Sequence, residues 1–165
     1  GGSALNWLAD YLSDRQQRVV IGNQHSKVFQ PSSGVPQGSV LGPLLFVLYV
    51  RGVAAEVQPY GVRTVQFADD IMLYISSRDK HQLERSMSSA VTHLARWLAS
   101  RNLVLNESKT QILFIPAHRS VNPRVSVMCS GVQLAQVESA KYLGVHMDQD
   151  LKWTTMVNQI AKRAA

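Results

Sequence analysis

Two adjacent aspartates, Asp69 and Asp70, lie in the middle of an apolar run and constrain the fold more than any other feature of the sequence. Burying one unpaired carboxylate is costly, and burying two neighbouring ones is worse. The residues on either side alternate like strands that pack one face on a core. Residues 64–75 are therefore predicted to form a strand, a turn and a second strand.

The aspartate pair has two interpretations that the residues alone leave open. Aspartate is a good turn residue, so the pair can simply form a hairpin tip in water. Alternatively, a divalent cation neutralises it, because Mg²⁺ takes one or two carboxylates together with substrate phosphates. Two such ions about 3.5–4 Å apart can clamp the attacking and leaving oxygens of a phosphoryl transfer. The second interpretation predicts Mg²⁺ (or Mn²⁺) at Asp69 and Asp70.

The charge of the chain favours a partner that carries phosphates. The 165 residues have a formal net charge of +6 and a pI near 9.8, although a merely basic domain would have the same totals. A single cysteine, Cys129, excludes an intramolecular disulfide, so we expect an intracellular location, cytoplasmic or nuclear. The apolar run 40–50 is shorter than the roughly 20 residues of a membrane span, so no membrane association is expected.

Apolar spacing along the rest of the chain predicts helices and strands in mixed order. Helices are predicted at 4–14, 39–53, 79–101 and from Trp153 onward. Strands are predicted near 17–21, 27–30, 103–106, 110–115, 125–128, 132–135 and 141–147. The 39–53 helix is apolar on every side, which predicts that it is buried. The expected fold class is α+β, a small antiparallel sheet packed on helices.

Several strings together resemble one protein family. "FADD" on a hairpin, with "SGVPQGSVLGPLLFVLYV" about thirty residues upstream, resembles the palm of a reverse transcriptase of the non-LTR (LINE-type) retrotransposons. "WLADYLSDRQQRVVIG", "LVLNESKTQILFI" and "KYLGVHMDQDLKW" continue the resemblance in the family's order. It implies a polymerase-type palm in residues 1–150 and the start of a helical thumb in 151–165.

The resemblance implies roles for residues around the turn. Asp69 matches the main metal ligand of the family and Asp70 a supporting ligand. Phe67 matches a residue of the layer against the primer end, where it contacts nucleotide or template. A plain core aromatic is the alternative for Phe67.

The loop that contains Pro36, Gln37 and Gly38, called here the glycine-rich loop, is implied by the resemblance to bind a template or nucleotide. The chemistry of its residues supports the same role. Pro36 stiffens the turn, and Gly38 lets backbone approach a ligand closely. Gln37 can both donate and accept hydrogen bonds. An ordinary loop before a helix is the alternative.

Later residues match two further motifs of the family. Lys109 matches a lysine near the triphosphate, where it would protonate the leaving pyrophosphate, and a solvated turn lysine is the alternative. Tyr142, Leu143 and Gly144 match the primer grip, a tight hairpin that positions the 3′ end. Trp153 falls where the thumb begins.

The function that the resemblance implies is RNA-directed DNA polymerase activity. Two-metal nucleotidyl transfer would copy RNA into DNA during retrotransposition, with an RNA template, a DNA primer and deoxynucleoside triphosphates as partners. The family's third carboxylate has no match here, because Asp10 and Asp14 lie in or just after a predicted helix. We therefore expect a segment of a longer protein that is inactive by itself.

Two other interpretations remain open. The chain can be a truncated or co-opted retroelement remnant that binds nucleic acid or protein without catalysis. A relative of group II introns or telomerase is a further option, against which "GVPQGSVLGPLLF" and "YLGV" argue. The fingers of the family are largely missing from this chain, so apolar edges of the palm would be left uncovered. Such exposed apolar surface would favour a homo-oligomer.

Overall fold

The computed structural model of the protein describes residues 2–117 and 124–164. The chain divides into two compact units, Gly1–Leu48 and Tyr49–Ala165. The boundary between palm and thumb near residue 150 stays a prediction. No helix within the described ranges has the length and apolar character needed to cross a membrane.

The first unit contains a helix and a hairpin. Helix α1 (Ser3–Leu12) is followed by the antiparallel strands β1 (Val20–Ile21) and β2 (Gln24–His25). The turn between the strands contains Gly22 in the left-handed conformation, with φ 58°, which glycine adopts without steric cost. The helix and the hairpin are confirmed, although β1 is shorter than the strand predicted at 17–21. The second strand lies at β2 rather than at the predicted 27–30, where Phe29 forms only an isolated bridge with Gln17.

Helix α2 (Gly42–Val50) begins later than predicted and is more exposed. The hydroxyl of Ser39 accepts a hydrogen bond from the N–H of Gly42 at 3.0 Å, and Pro43 lies in the first turn, where its missing N–H loses little. Leu44 is 56% exposed. The prediction of a helix buried on every side is wrong, because the described chain covers only part of its surface.

The second unit alternates helices and strands. A 3₁₀ turn (Gln58–Tyr60) follows α3. The α-helices and strands are α3 (Val53–Val57), β3 (Arg63–Phe67), β4 (Asp70–Tyr74), α4 (Lys80–Ala99), β5 (Gln111–Leu113), β6 (Met128–Cys129), β7 (Val132–Gln133), β8 (Ala135–Val137), β9 (Ser139–Tyr142), β10 (Val145–Asp148) and α5 (Thr154–Ala164). The mixture of helices and small sheets confirms the class α+β.

The strands form separate pairs rather than the single antiparallel sheet that was predicted. Over the described residues, the sheets are two-stranded: β1–β2, β3–β4, β6–β7 and β9–β10 are antiparallel, and β5–β8 is parallel. Parallel pairing requires a long crossover connection. Such a connection leaves no local signal in the sequence.

Of the two strands predicted at 103–106 and 110–115, only the second is present, as β5. Residues 103–106 are not a strand, and Asn106 organises a turn instead. The Asn106 side-chain oxygen accepts the N–H of Lys109 at 3.1 Å, and its carbonyl accepts the N–H of Thr110 at 3.0 Å. Asparagine favours such turns because its side chain bonds to the backbone a few residues on.

Helix α4 carries the core of the second unit. Asp79 caps its start by accepting the N–H of His81 at 2.8 Å, as is typical of N-cap residues. Leu83, Met87, Val91, Leu94 and Leu98 recur at helical spacing and form an apolar stripe. Four of these five residues are buried, and Leu83 is half-buried. The helix packs against α3, and His93 on α4 bonds to Glu56 on α3 at 2.7 Å. The predicted amphipathic helix is confirmed.

One face of α4 also pairs with the backbone of residues 126–130. Three side chains, spaced four residues apart on the helix, accept backbone N–H groups from alternate residues. These hydrogen bonds are Ser126 to Glu84 at 2.8 Å, Met128 to Ser88 at 3.0 Å and Ser130 to Thr92 at 3.1 Å. The helix therefore covers a strand edge that would otherwise be free to pair with another chain.

Acidification should weaken this contact through Glu84. The N–H of Ser126 holds the pKa of Glu84 below its ordinary value of 4.5, against the effect of burial. A lowered pKa contributes stability above pH 4.5 that is lost as the pH falls through the folded-state pKa. At pH 7 we expect Glu84→Gln to lower the free energy of unfolding by on the order of 0.5–1 kcal/mol. Denaturant unfolding should show this difference shrinking by pH 3.

The control for this prediction is Ser88→Ala. It removes a neighbouring acceptor that does not ionise, so its effect on unfolding should be similar at both pH values. A Glu84→Gln effect that stayed constant with pH would contradict the role given to the carboxylate charge.

Candidate active site

Asp69 and Asp70 lie at the tip of the β3–β4 hairpin, as predicted. Phe67 and Asp70 form the last pair of the ladder, so Ala68 and Asp69 are the two-residue loop. Ala68 has φ 52°, a left-handed conformation that costs a residue with a Cβ roughly 1–2 kcal/mol. The Gln66 side chain donates to the Ala68 carbonyl at 3.3 Å. Strain of this kind persists where surrounding structure enforces it, often at functional sites.

Both aspartates are exposed. Across the described residues, neither carboxylate makes a hydrogen bond or an ion pair. Water therefore solvates the two charges, and no burial cost has to be offset. The flanking strand is also more open than expected, since Phe67 is 64% exposed and Val65 is exposed too. The prediction that this face of β3 packs on a core is wrong for the described chain, because no element covers it.

The donor chemistry of the tip fits a hard divalent cation. Adjacent free carboxylates supply oxygen ligands, which Mg²⁺ prefers, and Mg²⁺ completes its shell with waters and substrate phosphates. Within residues 2–117 and 124–164, no three His, Cys, Asp or Glu side chains group together as a metal site. Asp69 and Asp70 would thus provide two ligands and leave the remaining positions to other groups.

The predicted primer-grip residues form a second tight hairpin. Tyr142 pairs with Val145, so Leu143 and Gly144 are the two-residue loop between β9 and β10. Both loop residues have positive φ, 48° and 85°, as a type I′ turn requires. Glycine suits the second position because it has no Cβ.

The structure brings this hairpin to the aspartate hairpin. The hydroxyl of Tyr142 donates to the carbonyl of Val65 in β3 at 3.4 Å. Val65 lies two residues before Phe67, so one hydrogen bond joins the two predicted site elements. This contact is tertiary, and no local sequence signal indicates it.

Asp148, at the end of β10, is a buried acidic residue that sequence reasoning missed. It is 7% exposed, and its Oδ2 accepts the N–H of Thr155 at 3.3 Å, in the first turn of α5. The Thr155 hydroxyl, and after it the N–H groups at the helix start, hold the pKa of Asp148 below its usual value against the opposing effect of burial. The sequence signal that could have identified Asp148 is the position of an acidic residue shortly before a predicted helix, because the N-terminus of a helix favours negative charge.

Removing this carboxylate should loosen α5. We expect Asp148→Ala to speed amide hydrogen exchange across the first turn of α5, because the N–H of Thr155 loses its acceptor. Because the pKa is lowered, the protection of these amides relative to their intrinsic exchange rates should fall in the wild type as the pH falls through the folded-state value. Lys152→Ala, an exposed change beside the helix start, is the control and should leave the exchange unchanged. Equal exchange in Asp148→Ala and wild type would contradict this role.

The glycine-rich loop forms a turn of the type its residues predict. The N–H of Ser39 donates to the Pro36 carbonyl at 3.2 Å, and Gly38 has φ 80°. This is the geometry of a type II turn, which needs a positive φ at its third position. Gln37 is exposed at the second position. The role of these residues toward template or nucleotide stays a prediction.

Lys109 is an exposed residue of the turn that Asn106 organises. In the part of the chain that the structure describes, no hydrogen bond or ion pair joins it to Asp69 or Asp70. Its role near a triphosphate therefore stays a prediction.

The comparisons with known proteins decide the family. The model of the reverse transcriptase (RNA-dependent DNA polymerase) family matches residues 2–147, most of the sequence. The chain belongs to the reverse transcriptase family. No solved structure matches this reverse transcriptase segment significantly.

Its relatives are retrotransposon proteins. The segment is 32% identical over 158 residues to the probable RNA-directed DNA polymerase from transposon X-element of Drosophila melanogaster, covering 94% of this chain and 17% of that protein. It is 32% identical over 162 residues to the corresponding protein from transposon BS of the same species, covering 94% and 18%. A Pol polyprotein from type-1 retrotransposable element R1 of Nasonia vitripennis is 27% identical over 124 residues, covering 73% and 37%.

These relatives confirm the predicted resemblance to LINE-type, non-LTR retrotransposons. The reverse transcriptase segment spans less than a fifth of the first two relatives. The activity of a whole protein therefore belongs to the proposal that follows.

Proposed function

We propose that the chain is the palm, with the start of the thumb, of an RNA-directed DNA polymerase that copies RNA into DNA during retrotransposition. The observation that carries the proposal is the hairpin tip, where Asp69 and Asp70 are exposed and free of partners in the described chain. Family membership supports the reaction class. The deoxynucleoside triphosphate, the RNA template and the DNA primer are the proposed substrates and partners.

Asp69 and Asp70 would hold the divalent metal ions. When bound, Mg²⁺ (or Mn²⁺) would supply charge neutralisation for the triphosphate and Lewis-acid activation of the primer hydroxyl. The chain contributes rigid placement, because both strands of the hairpin fix the carboxylates at its tip. Lys109 is proposed to protonate the leaving pyrophosphate, and Phe67 to lie against the primer end.

The predicted primer-grip residues are proposed to hold the DNA primer. Tyr142, Leu143 and Gly144 are proposed to position the primer 3′ end, supported by the hydrogen bond from Tyr142 to β3. Alignment of the reacting atoms is worth many orders of magnitude in rate. The hydrogen bond between the two hairpins would help to keep the primer 3′ end aligned with the aspartates.

The first unit supplies the proposed template or nucleotide contacts. Pro36, Gln37 and Gly38 form a rigid turn in which the exposed Gln37 can donate to and accept from a base or sugar. The absence of a Cβ on Gly38 allows close approach of a strand.

The proposed palm comprises residues 1–150, and residues 151–165 begin the thumb. The packing of α5 on β10 supports a thumb that is mounted directly on the primer-grip hairpin. Exposed apolar side chains on α2, Leu44 and Leu48 among them, support association with further protein surface, whether the rest of a longer polypeptide or a second copy. We further propose an intracellular location, cytoplasmic or nuclear.

Primer extension tests the proposal. The complete natural polypeptide that contains this segment should extend a DNA primer on an RNA template, and only with Mg²⁺ or Mn²⁺ present. The isolated 165 residues should not extend it, because two carboxylates leave the two-metal site incomplete. Binding of primer–template without extension by the complete polypeptide would instead indicate a non-enzymatic remnant. Metal-dependent extension by the isolated chain, abolished by Asp69→Ala, would show that our account of the ligands is wrong.

A further inference from the structure

The β1–β2 hairpin contains a bulge. Gln17 and Phe29 exchange two backbone hydrogen bonds, each 2.8 Å long, and Val20 pairs with His25 farther along. Between these two pairs the first strand has two residues and the second has three. One extra residue in a ladder is a β-bulge, which bends the strand and redirects its side chains.

The side chain of Ser26 stabilises this bulge. The Val19 N–H donates to the Ser26 hydroxyl at 2.9 Å, where a regular ladder would use a carbonyl. The Ser26 N–H donates to the Val19 carbonyl at 3.0 Å, and the Ser26 hydroxyl donates to the Lys27 carbonyl at 2.9 Å. The bulge therefore has fixed geometry, and a shallow concavity lies beside it. This concavity is lined by Gln17, Arg18, Val19, Ser26, Lys27 and Phe29.

The lining combines positive charge with an exposed aromatic ring. Arg18 and Lys27 are exposed, and over the described residues their side chains make no hydrogen bond or ion pair. The sequence has no acidic residue between Asp14 and Glu56, so no local carboxylate competes for them. Phe29 is 59% exposed, so the face of its ring is accessible for stacking.

We propose that this concavity binds single-stranded nucleic acid, with Arg18 and Lys27 on phosphates and Phe29 stacked on a base. Positive charge that tracks a backbone, together with an aromatic face, is the combination that single-strand binders use. The inference rests on the proposed function for the class of partner, but it places a contact in the first unit that does not involve the aspartate hairpin. RNA and DNA strands share this chemistry.

Fluorescence anisotropy with the full chain tests the proposal, using labelled 12-nucleotide oligouridine RNA and oligothymidine DNA in EDTA. The variant Arg18→Gln/Lys27→Gln should bind about tenfold more weakly, and the slope of log affinity against log salt should fall by about 1.4, since each phosphate contact on a single strand contributes roughly 0.7. Phe29→Ala should also weaken binding, by about fivefold or more, with the salt slope unchanged.

The matched control is Arg78→Gln/Arg85→Gln, which removes two other exposed positive charges. It should change affinity less than twofold. Thermal unfolding confirms that each variant is folded. Binding that depends on Arg18 and Lys27 supports the proposal for either strand, and the ratio of the two affinities identifies which strand the hairpin holds. Equal losses in the variant and the control, or no loss in either, would overturn it.

A separate variant distinguishes this inference from the proposed polymerase. Asp69→Asn should keep full oligonucleotide affinity in EDTA, because no metal takes part. Primer extension could require Asp69 while oligonucleotide affinity is unchanged by substitution of Arg18 and Lys27. That result would overturn the inference but agree with the proposed polymerase function. Loss of binding in Arg18→Gln/Lys27→Gln, with no extension by the complete polypeptide, would support the inference and reject the polymerase.

Discussion

Asp69→Asn in the complete polypeptide should reduce RNA-templated primer extension by about a thousandfold or more. Metal ions supply several kcal/mol of charge stabilisation to a phosphoryl transfer, and about 4 kcal/mol corresponds to a thousandfold in rate. Asparagine keeps the size and turn preference of the side chain but removes the charge that holds the cation. The measurement is single-turnover incorporation of one nucleotide at saturating Mg²⁺.

Three comparisons accompany this prediction. Asp70→Asn should lose less activity, because Asp70 is the proposed supporting ligand. Asp14→Asn removes an exposed acid from a left-handed position, φ 49°, that asparagine also favours, so it should leave extension unchanged. Both hairpin variants should retain wild-type stability, since the carboxylates are exposed. An Asp69→Asn variant with more than a tenth of wild-type activity would contradict the assignment.

Leu94→Ala should lower the free energy of unfolding by about 2–5 kcal/mol. Leu94 is 1% exposed on α4, and truncation there removes buried apolar surface and leaves a cavity. Stabilities of whole domains are only about 5–15 kcal/mol, so this substitution removes a large part of the total. Urea unfolding followed by far-UV circular dichroism measures it.

A matched pair of valine substitutions controls for side-chain truncation itself. Val53→Ala, at a buried position packed near α4, should lower stability by roughly 1.5–3 kcal/mol. Val104→Ala, where the side chain is 92% exposed, should change it by less than about 0.5 kcal/mol. If Leu94→Ala and Val104→Ala had equal effects, the core would lie elsewhere.

Local patterns account for the parts of the fold that were predicted correctly. The hairpin at Asp69 and Asp70 depends on neighbouring residues alone, because adjacent carboxylates must reach solvent and aspartate favours turns. The α4 stripe follows from its 3.6-residue period. The turn at Leu143 and Gly144, by contrast, was implied by the family resemblance alone, because the strand predicted at 141–147 runs through it.

Long-range pairing accounts for the parts that were wrong. The segment around Ile112 is a strand as predicted, but it pairs in parallel with residues near Gln136 rather than within an antiparallel sheet. No nearby residue encodes this choice of partner. The apolar sequence of α2 indicates that the helix packs against another surface, but it does not indicate which surface. In the same way, the apolar pattern of β3 does not show which element, if any, packs on Phe67.

The candidate site divides in the same way. Residues carried by recognisable strings, Asp69 and Tyr142 among them, could be named as candidates from the sequence. The hydrogen bond from Tyr142 to Val65 and the cap of α5 by Asp148 depend on which elements meet in space. Propensity and periodicity describe single elements, so contacts between elements remain invisible to them.

The most direct test of the central claim, that the hairpin tip holds divalent metal, is paramagnetic broadening of amide signals by Mn²⁺ in the 165-residue chain. Weak binding is expected, because the chain supplies two ligands. Signals of residues 67–72 should broaden first, and Asp69→Asn/Asp70→Asn should abolish this selective effect. Broadening centred elsewhere, near Glu84 or Asp148 for example, or unchanged by the double substitution, would contradict the claim.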